Sequence, residues 1–298
     1  MPLPPRRPAA LAGKIFLARD ALARKLLTPA ELRSAAWRPL FRGVYADASL
    51  TISHRHRCLA VCRYLLPSGG AVAGRSAAAL YGAGTATTDE PVQVVVPRKI
   101  RFGPFSGLDV HGADLIDGDV RDLAGVRVTT PVRTCWDLAQ WLDLVEAVVI
   151  VDILVQRRLV TVADLEAYAT TRRGARGWRR LLRAATLADP GAESPQESRL
   201  RVRLVLAGVP APVTQYVIER DGRFLARVDL AWPDQKVAVE YDGLWHAAHD
   251  QIHRDRQRLN RLLGADWLVL HVTSKRLAED FDTFAAELRA ALRRRTRA

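Results

Sequence analysis

Asp229, Glu240, Asp242 and His246 fall within one short stretch, RVDLAWPDQKVAVEYDGLWH, and an arginine-rich run, RDRQRLNRLLGADWLVLHV, follows closely behind it. Carboxylates and an imidazole gathered on one surface are the groups that hold a divalent cation and activate water. The spacing is that of strands. From Lys236 to Asp242 the apolar Val237, Val239 and Tyr241 alternate with Lys236, Ala238, Glu240 and Asp242, a period of two. The run from Phe224 to Ala231 alternates less cleanly, and Trp232-Pro233-Asp234-Gln235 between the two reads as a turn. An antiparallel hairpin about that turn puts Asp229 near Ala238 and diagonal to Glu240. Such neighbours sit roughly 7–8 Å apart at Cα, close enough to share a cation. Asp242 continues that face to Gly243, while Val228, Leu230, Val237, Val239 and Tyr241 face a core. Each member also has a plainer reading. Glu197 is the third helical residue after Ser194, as in a capping box. Asp242-Gly243 suits a turn, and His246 suits an ordinary surface histidine. Asp229 is harder to account for, because an acid in a strand is unfavourable unless paired or coordinated.

The elements around the acids complete a small unit. Ser194-Pro195-Gln196-Glu197 opens a helix with Leu200, Leu204 and Ala207 on one side and Gly208 as its stop. Gln215–Arg220, Asp221-Gly222 and Arg223–Leu225 predict a hairpin with a tight turn. A helix from about Ala248 to Leu263 presents Ile252, Leu259, Leu262 and Leu263 inward. Trp267–Val272 is a dense apolar strand, and Leu277, Phe281, Phe284, Leu288 and Leu292 mark a final amphipathic helix. The order is α-β-β-β-α-β-α.

That order, with VDLAWPDQKVAVEYDGLWH and RDRQRLNRLLGADWLVLHV, resembles the very-short-patch-repair (Vsr-like) endonuclease branch of the PD-(D/E)XK superfamily, over about the last third of the chain. The resemblance implies a divalent metal, Mg2+ or Mn2+, held by Asp229 with Glu240 or Asp242. It also implies His246 assisting water or binding a phosphate, Glu197 as the acid of the first helix, and hydrolysis of a DNA phosphodiester. Arg254, Arg256 and Arg258 on the following helix would meet phosphates. The superfamily pattern ends Glu-x-Lys, whereas this chain reads Glu240-Tyr241-Asp242. Lys236, on the same predicted face, is one source of the missing cation. The extra acid could equally add a metal ligand, or mark a domain that binds without cutting.

Size and charge suit such a partner. The 298 residues can fill two or three domains. Lys+Arg 45 against Asp+Glu 32 gives a formal net charge of +13, which favours a polyanion such as nucleic acid. Five lysines among so many arginines also fit a GC-rich genome, so charge supports this reading without establishing it. No stretch is apolar enough to span a bilayer, MPLPPRRPAALAGKIF lacks a signal-peptide core, and three cysteines suggest no disulfide framework. The expectation is a cytoplasmic protein. His54, His56, Cys58 and Cys62 are spaced awkwardly for a tetrahedral site on one helix, so buried thiols on a core face are expected instead.

In the front half, Thr28-Pro29-Ala30-Glu31 starts a helix. Arg33, Arg38 and Arg42 surround Trp37, Leu40 and Phe41 before the strand at Val44-Tyr45-Ala46. Two short helices and a basic β-wing give a winged-helix reading, with Arg38 and Arg42 toward DNA; a protein-docking module of similar shape is the alternative. These residues, with AGRSAAALYG at 73–82, the strand Val92–Pro97, VTTPVRT at 128–134 and WDLA at 136–139, resemble AbiEi-type antitoxins over about the first 170 residues. Those are transcriptional repressors of type IV toxin–antitoxin systems, so binding rather than chemistry is implied, and a cognate toxin is a further partner. Ser76 begins a small-residue helix, and Thr134 and Asp137 are expected as caps of another. The expected fold is α/β (α+β): a winged-helix-like head over 1–50, an AbiEi-like domain over 51–188 and a restriction-endonuclease-like domain over 189–298, with the boundary near Asp189. The expected function is DNA binding with metal-dependent DNA cleavage, in genome defence or repair. The alternative is a non-enzymatic regulator or antitoxin that uses the nuclease fold as a platform.

Overall fold

A computed structural model of the chain describes residues 5–84, 86–242 and 260–296. It is a mixed α+β protein, and its described residues form three separate sheets. No described helix is long and apolar enough to cross a membrane. Contacts divide the chain into two compact units. The first runs to Trp141 and includes Thr171–Gly177; the second comprises Leu142–Thr170 and the chain from Trp178 onward.

The first unit begins with a head of β1 (Ile15–Leu17), α1 (Ala18–Ala23), α2 (Pro29–Leu32), β2 (Trp37–Phe41) and β3 (Val44–Asp47), its strands in the order β1-β3-β2. The expected start of α2 is present as a complete capping box between Thr28 and Glu31. Leu11, Phe16, Leu27, Leu32 and Trp37 form the head's core, where Phe16 and Trp37 meet edge to face at 5.2 Å. Then come α3 (His54–Tyr64), β4 (Ala71–Val72), α4 (Gly74–Leu80), β5 (Val92–Val96), β6 (Leu108–Gly112), β7 (Val120–Leu123), β8 (Val126–Thr129) and α5 (Pro131–Trp141). The five strands order as β6-β5-β4-β8-β7.

On α3, burial raises the Cys58 thiol to about 12 and the Cys62 thiol to about 11. His54 is committed to the Ser76 hydroxyl at 2.8 Å and the Thr87 carbonyl at 3.1 Å. Cys58 is a buried thiol, Cys62 a half-buried one, and His54 a structural histidine. Thr134 and Asp137 are not caps, because both lie inside α5. Thr134 bonds back to Thr129, and Asp137 accepts from the Arg133 Nε at 2.9 Å. Arg133 also meets Asp119 at 2.7 Å, and Arg172 meets the other oxygen of Asp119 at 2.8 Å. This buried network answers each acid with a guanidinium.

The second unit contains α6 (Leu144–Gln156), α7 (Val162–Thr171, whose last residue belongs to the first unit), α8 (Trp178–Leu187), α9 (Pro195–Leu206), β9 (Val213–Arg220), β10 (Arg223–Trp232), β11 (Val237–Asp242), helical residues 260–264, β12 (Leu268–Thr273) and two last helices, Ser274–Glu279 and Phe281–Thr296. The division therefore does not fall at Asp189. Asp152 of α6 accepts from Ser198 at 2.6 Å and Arg201 at 2.8 Å, both on α9. Glu146 of α6 holds Arg199 through two bonds. These ties, invisible to a linker-composition argument, bind α6 to α9. The sheet orders as β12-β11-β10-β9, antiparallel except for the parallel β11–β12 pair. Leu230, Val237 and Val239 meet Leu200, Leu204, Phe284 and Leu288 in the main core. Val228 does not join them; it packs with Ile218, Leu262 and Trp267 in a second cluster.

Burial pushes the Asp137 carboxyl up to about 7. The folded chain then keeps a proton that the unfolded chain releases near 4. This contribution to stability is full below that value and is lost as pH rises through 7. Asp137→Asn should remove the dependence. Between about pH 5 and about pH 8 the urea midpoint of wild type should fall relative to that of the variant. A constant difference between the two would contradict the assignment.

Candidate functional site

The acids of the second unit are brought together by the β10–β11 turn and by α9. β10 runs on through Trp232, and the turn is Pro233–Gln235 followed by Lys236 in the left-handed region, φ 49°. The pairing is therefore Leu230 with Val239 and Trp232 with Val237. Continued by one residue, this register sets Asp229 opposite Glu240, not opposite Ala238 as the sequence suggested. A turn displaced by one residue moves the register by two, so the face is kept and the two acids come closer. Lys236 does not supply a cation there. It occupies the turn, where its Nζ stands 4.0 Å from Asp266.

Asp229 marks the point where the β10–β11 ladder ends. Its Oδ2 accepts the Tyr241 backbone N–H at 2.8 Å. Its Oδ1 accepts from the Gln215 amide at 3.3 Å, and the same Gln215 nitrogen donates to Glu197 Oε2 at 2.9 Å. One glutamine thus clamps a strand acid to a helix acid. Gln215 lies in β9 with φ 49°, a local kink within the strand. The neighbouring Thr214 bonds Asp189 at 3.2 Å. The loop beside it comes so near that a Cβ on Gly191 would stand 2.0 Å from the Thr214 hydroxyl oxygen, which explains a glycine at that position.

Glu197 does begin its helix at the capping position, with its N–H on the Ser194 hydroxyl at 3.2 Å. Its carboxylate reaches past the cap to the Glu193 N–H at 2.9 Å and outward to Gln215. It is 9% exposed, and Glu240 is 8% exposed. Across the parallel pair Glu240 registers with His271. Asp242, at the end of β11, lies 3.2 Å from His271 Nδ1 through both oxygens. Gln215 and His271 carry no site role in the sequence pattern, which places them only within predicted strands. A polar residue inside the dense run LVLHVT was the available signal for His271, and only the parallel register reveals what it faces.

The partners of these acids set them apart from the rest of the chain. Buried Asp119, Asp137 and Asp152 each meet an arginine. Among the described residues, Glu197 and Asp229 meet only neutral N–H donors. Uncompensated negative charge in a half-buried place is costly and attracts a cation. Carboxylate oxygens are the donors that hard divalent ions take, so the residue chemistry fits Mg2+ or Mn2+. Among the described residues no three acids, histidines or cysteines stand together as a ready-made metal centre. His246, Arg254, Arg256 and Arg258 lie outside the described residues. In the head, Arg38 is turned onto the Leu50 carbonyl, whereas Arg42 is exposed.

Gln215→Leu should leave both carboxylates without their shared donor. The expected cost is about 1–3 kcal/mol in chemical denaturation, recovered at least in part by millimolar Mn2+. Unchanged stability in the absence of metal would show that the clamp carries no weight.

No protein-family model matches the chain, and no solved structure matches it significantly. Similar proteins include two from Mycobacterium tuberculosis, the uncharacterized protein MT2308 of strain CDC 1551 / Oshkosh and the uncharacterized protein Rv2248 of strain ATCC 25618 / H37Rv. Each is 31% identical over 198 residues, covering 66% of this chain and 72% of the relative. With that identity and coverage, the chain belongs to the same family as these two mycobacterial proteins.

Proposed function

We propose that this is a DNA-binding protein of the cytoplasm whose second unit is a Vsr-like, divalent-metal-dependent DNA endonuclease acting in genome defence or repair. The observation that carries the reading is the Glu197–Gln215–Asp229 clamp. It holds a helix acid and a strand acid together with neutral donors, on a chain that elsewhere neutralises its buried acids with arginine. The order of elements, with a parallel last pair of strands, supports it. Asp229 and Glu240 would hold the ion, with Asp242 or Glu197 beside them. When bound, the ion would lower the pKa of a water and stabilise charge on a phosphodiester. Asp229 is oriented for that role by the Tyr241 N–H, and Glu197 by the Glu193 N–H. His246 would assist the water or hold a phosphate. Arg254, Arg256 and Arg258, with Arg38 and Arg42 of a winged-helix-like head, would meet DNA phosphates. The AbiEi-like domain would serve regulation, with a cognate toxin as a further partner.

A second reading rests on Asp242. It stands where the superfamily pattern has lysine, and it is engaged with His271. A site with that substitution suits a regulator or antitoxin that binds DNA through the same fold without cutting it.

The two readings separate in one experiment. Incubated with Mg2+ or Mn2+ and mixed duplex, mismatched and single-stranded DNA, wild type should cut. Asp229→Ala should cut roughly a thousandfold more slowly, the several kcal/mol that a metal's charge supplies, while its salt-dependent DNA affinity stays within about twofold. Equal cleavage by the variant would displace Asp229 from the site, and binding without cleavage by wild type would favour the regulator.

A further inference from the structure

The first unit holds another place where chemical groups converge, independent of the nuclease reading. A cavity of about 990 Å3 lies between the head and the elements that follow it, the size of a small-molecule site. Three parts of the chain wall it: β1 with α1, the outer side of α3, and the turn joining β7 to β8. The Tyr64 hydroxyl donates to the Ile15 carbonyl at 2.9 Å and holds α3 against β1.

The floor is apolar. Leu11, Phe16 and Ala21 come from the head, and Leu59 and Ala60 come from α3. The rim is cationic, with Lys14, Arg24, Arg63 and Arg127. None of these four forms an ion pair with a described carboxylate. Lys14 donates to the Ala10 carbonyl, Arg127 Nε donates to the Gly70 carbonyl at 3.0 Å, and the Arg63 guanidinium lies 5.5 Å over the Tyr64 ring. The contacts of Arg127 and Arg63 hold those side chains in place and leave donors for a ligand. Two acids also line the cavity, but both have partners. Asp20 lies 3.4 Å from Arg19, and Asp122 accepts the Gly125 N–H at 3.0 Å.

We propose that this cavity binds a small organic anion, with an aromatic or branched apolar body on the floor and a carboxylate or sulfonate at the arginine rim. An inorganic anion would not use the floor, and a neutral hydrocarbon would not use the rim. Such a ligand would touch both the head and α3, so its binding is linked to how firmly the head is held.

The test uses the full chain and a fluorescent anion, 1-anilinonaphthalene-8-sulfonate, beside the uncharged N-phenyl-1-naphthylamine. Wild type should bind the sulfonate saturably at one site and the uncharged amine more weakly. The exposed pair Arg24→Ala with Arg63→Ala should weaken the sulfonate by roughly tenfold or more, the loss of two charge-assisted contacts. Arg293→Ala with Arg294→Ala, an exposed pair on the last helix, should leave affinity unchanged. Benzoate should compete. Absence of saturable binding would overturn the proposal. So would equal affinity in wild type and the first double variant, or equal loss in both double variants.

Discussion

A carboxylate removed from water needs a cation or a sufficient set of donors, and much of this chain is organised around that need. Arg133 lies between Asp119 and Asp137, and Arg201 reaches Asp152. Asp152 is paired in this way with Arg201, and removing that guanidinium would strand a buried acid at a cost of about 3–5 kcal/mol. Glu197 and Asp229 are handled differently. Their partners among the described residues are an amide side chain and two backbone N–H groups, which satisfy hydrogen bonding and leave the charge standing. That difference in treatment, more than the presence of acids, distinguishes the site.

The supports of the site follow from the same rule. The arginine-bound Asp152 and the Glu146–Arg199 pair fix α9 to α6, and α9 carries Glu197. The Thr214–Asp189 contact fixes β9 beside the loop that leads into α9, and β9 carries Gln215. The turn at Pro233–Gln235 sets the β10–β11 register and with it the place of Asp229 relative to Glu240. The parallel β11–β12 pair adds His271 next to Glu240 and Asp242. Structural ion pairs thus position Glu197, which has no ion pair of its own among the described residues.

Local signals in the sequence were reliable wherever one element decided the outcome. The Thr28–Glu31 box, the Asp221-Gly222 turn with both residues at positive φ, and the apolar stripe of the last helix all stand where their residue types put them. That stripe is divided at Asp280 into two helices, which periodicity alone does not show. The misreadings arose where two elements had to meet. Thr134 and Asp137 have cap-forming side chains, yet both lie inside α5, where Asp137 accepts from Arg133 one turn earlier and the Thr134 hydroxyl bonds back to Thr129. The boundary at Asp189 looked open because its Pro-Gly composition is that of a linker, whereas ion pairs carry α6 across it. The acids were legible at Asp229 and Glu240. Gln215 and His271 were not, because a kinked strand and a parallel partner leave no mark in local spacing.

The proposal that Asp229 and Glu240, with Asp242 or Glu197 beside them, hold a divalent cation is most directly tested by calorimetric titration of Mn2+ into the full chain, with and without DNA. One saturable binding event in wild type, lost in Asp229→Asn and in Glu240→Gln while both variants keep the wild-type far-ultraviolet circular dichroism, is the predicted result. Absence of Mn2+ binding in wild type even with DNA present, or undiminished binding in both variants, would contradict it.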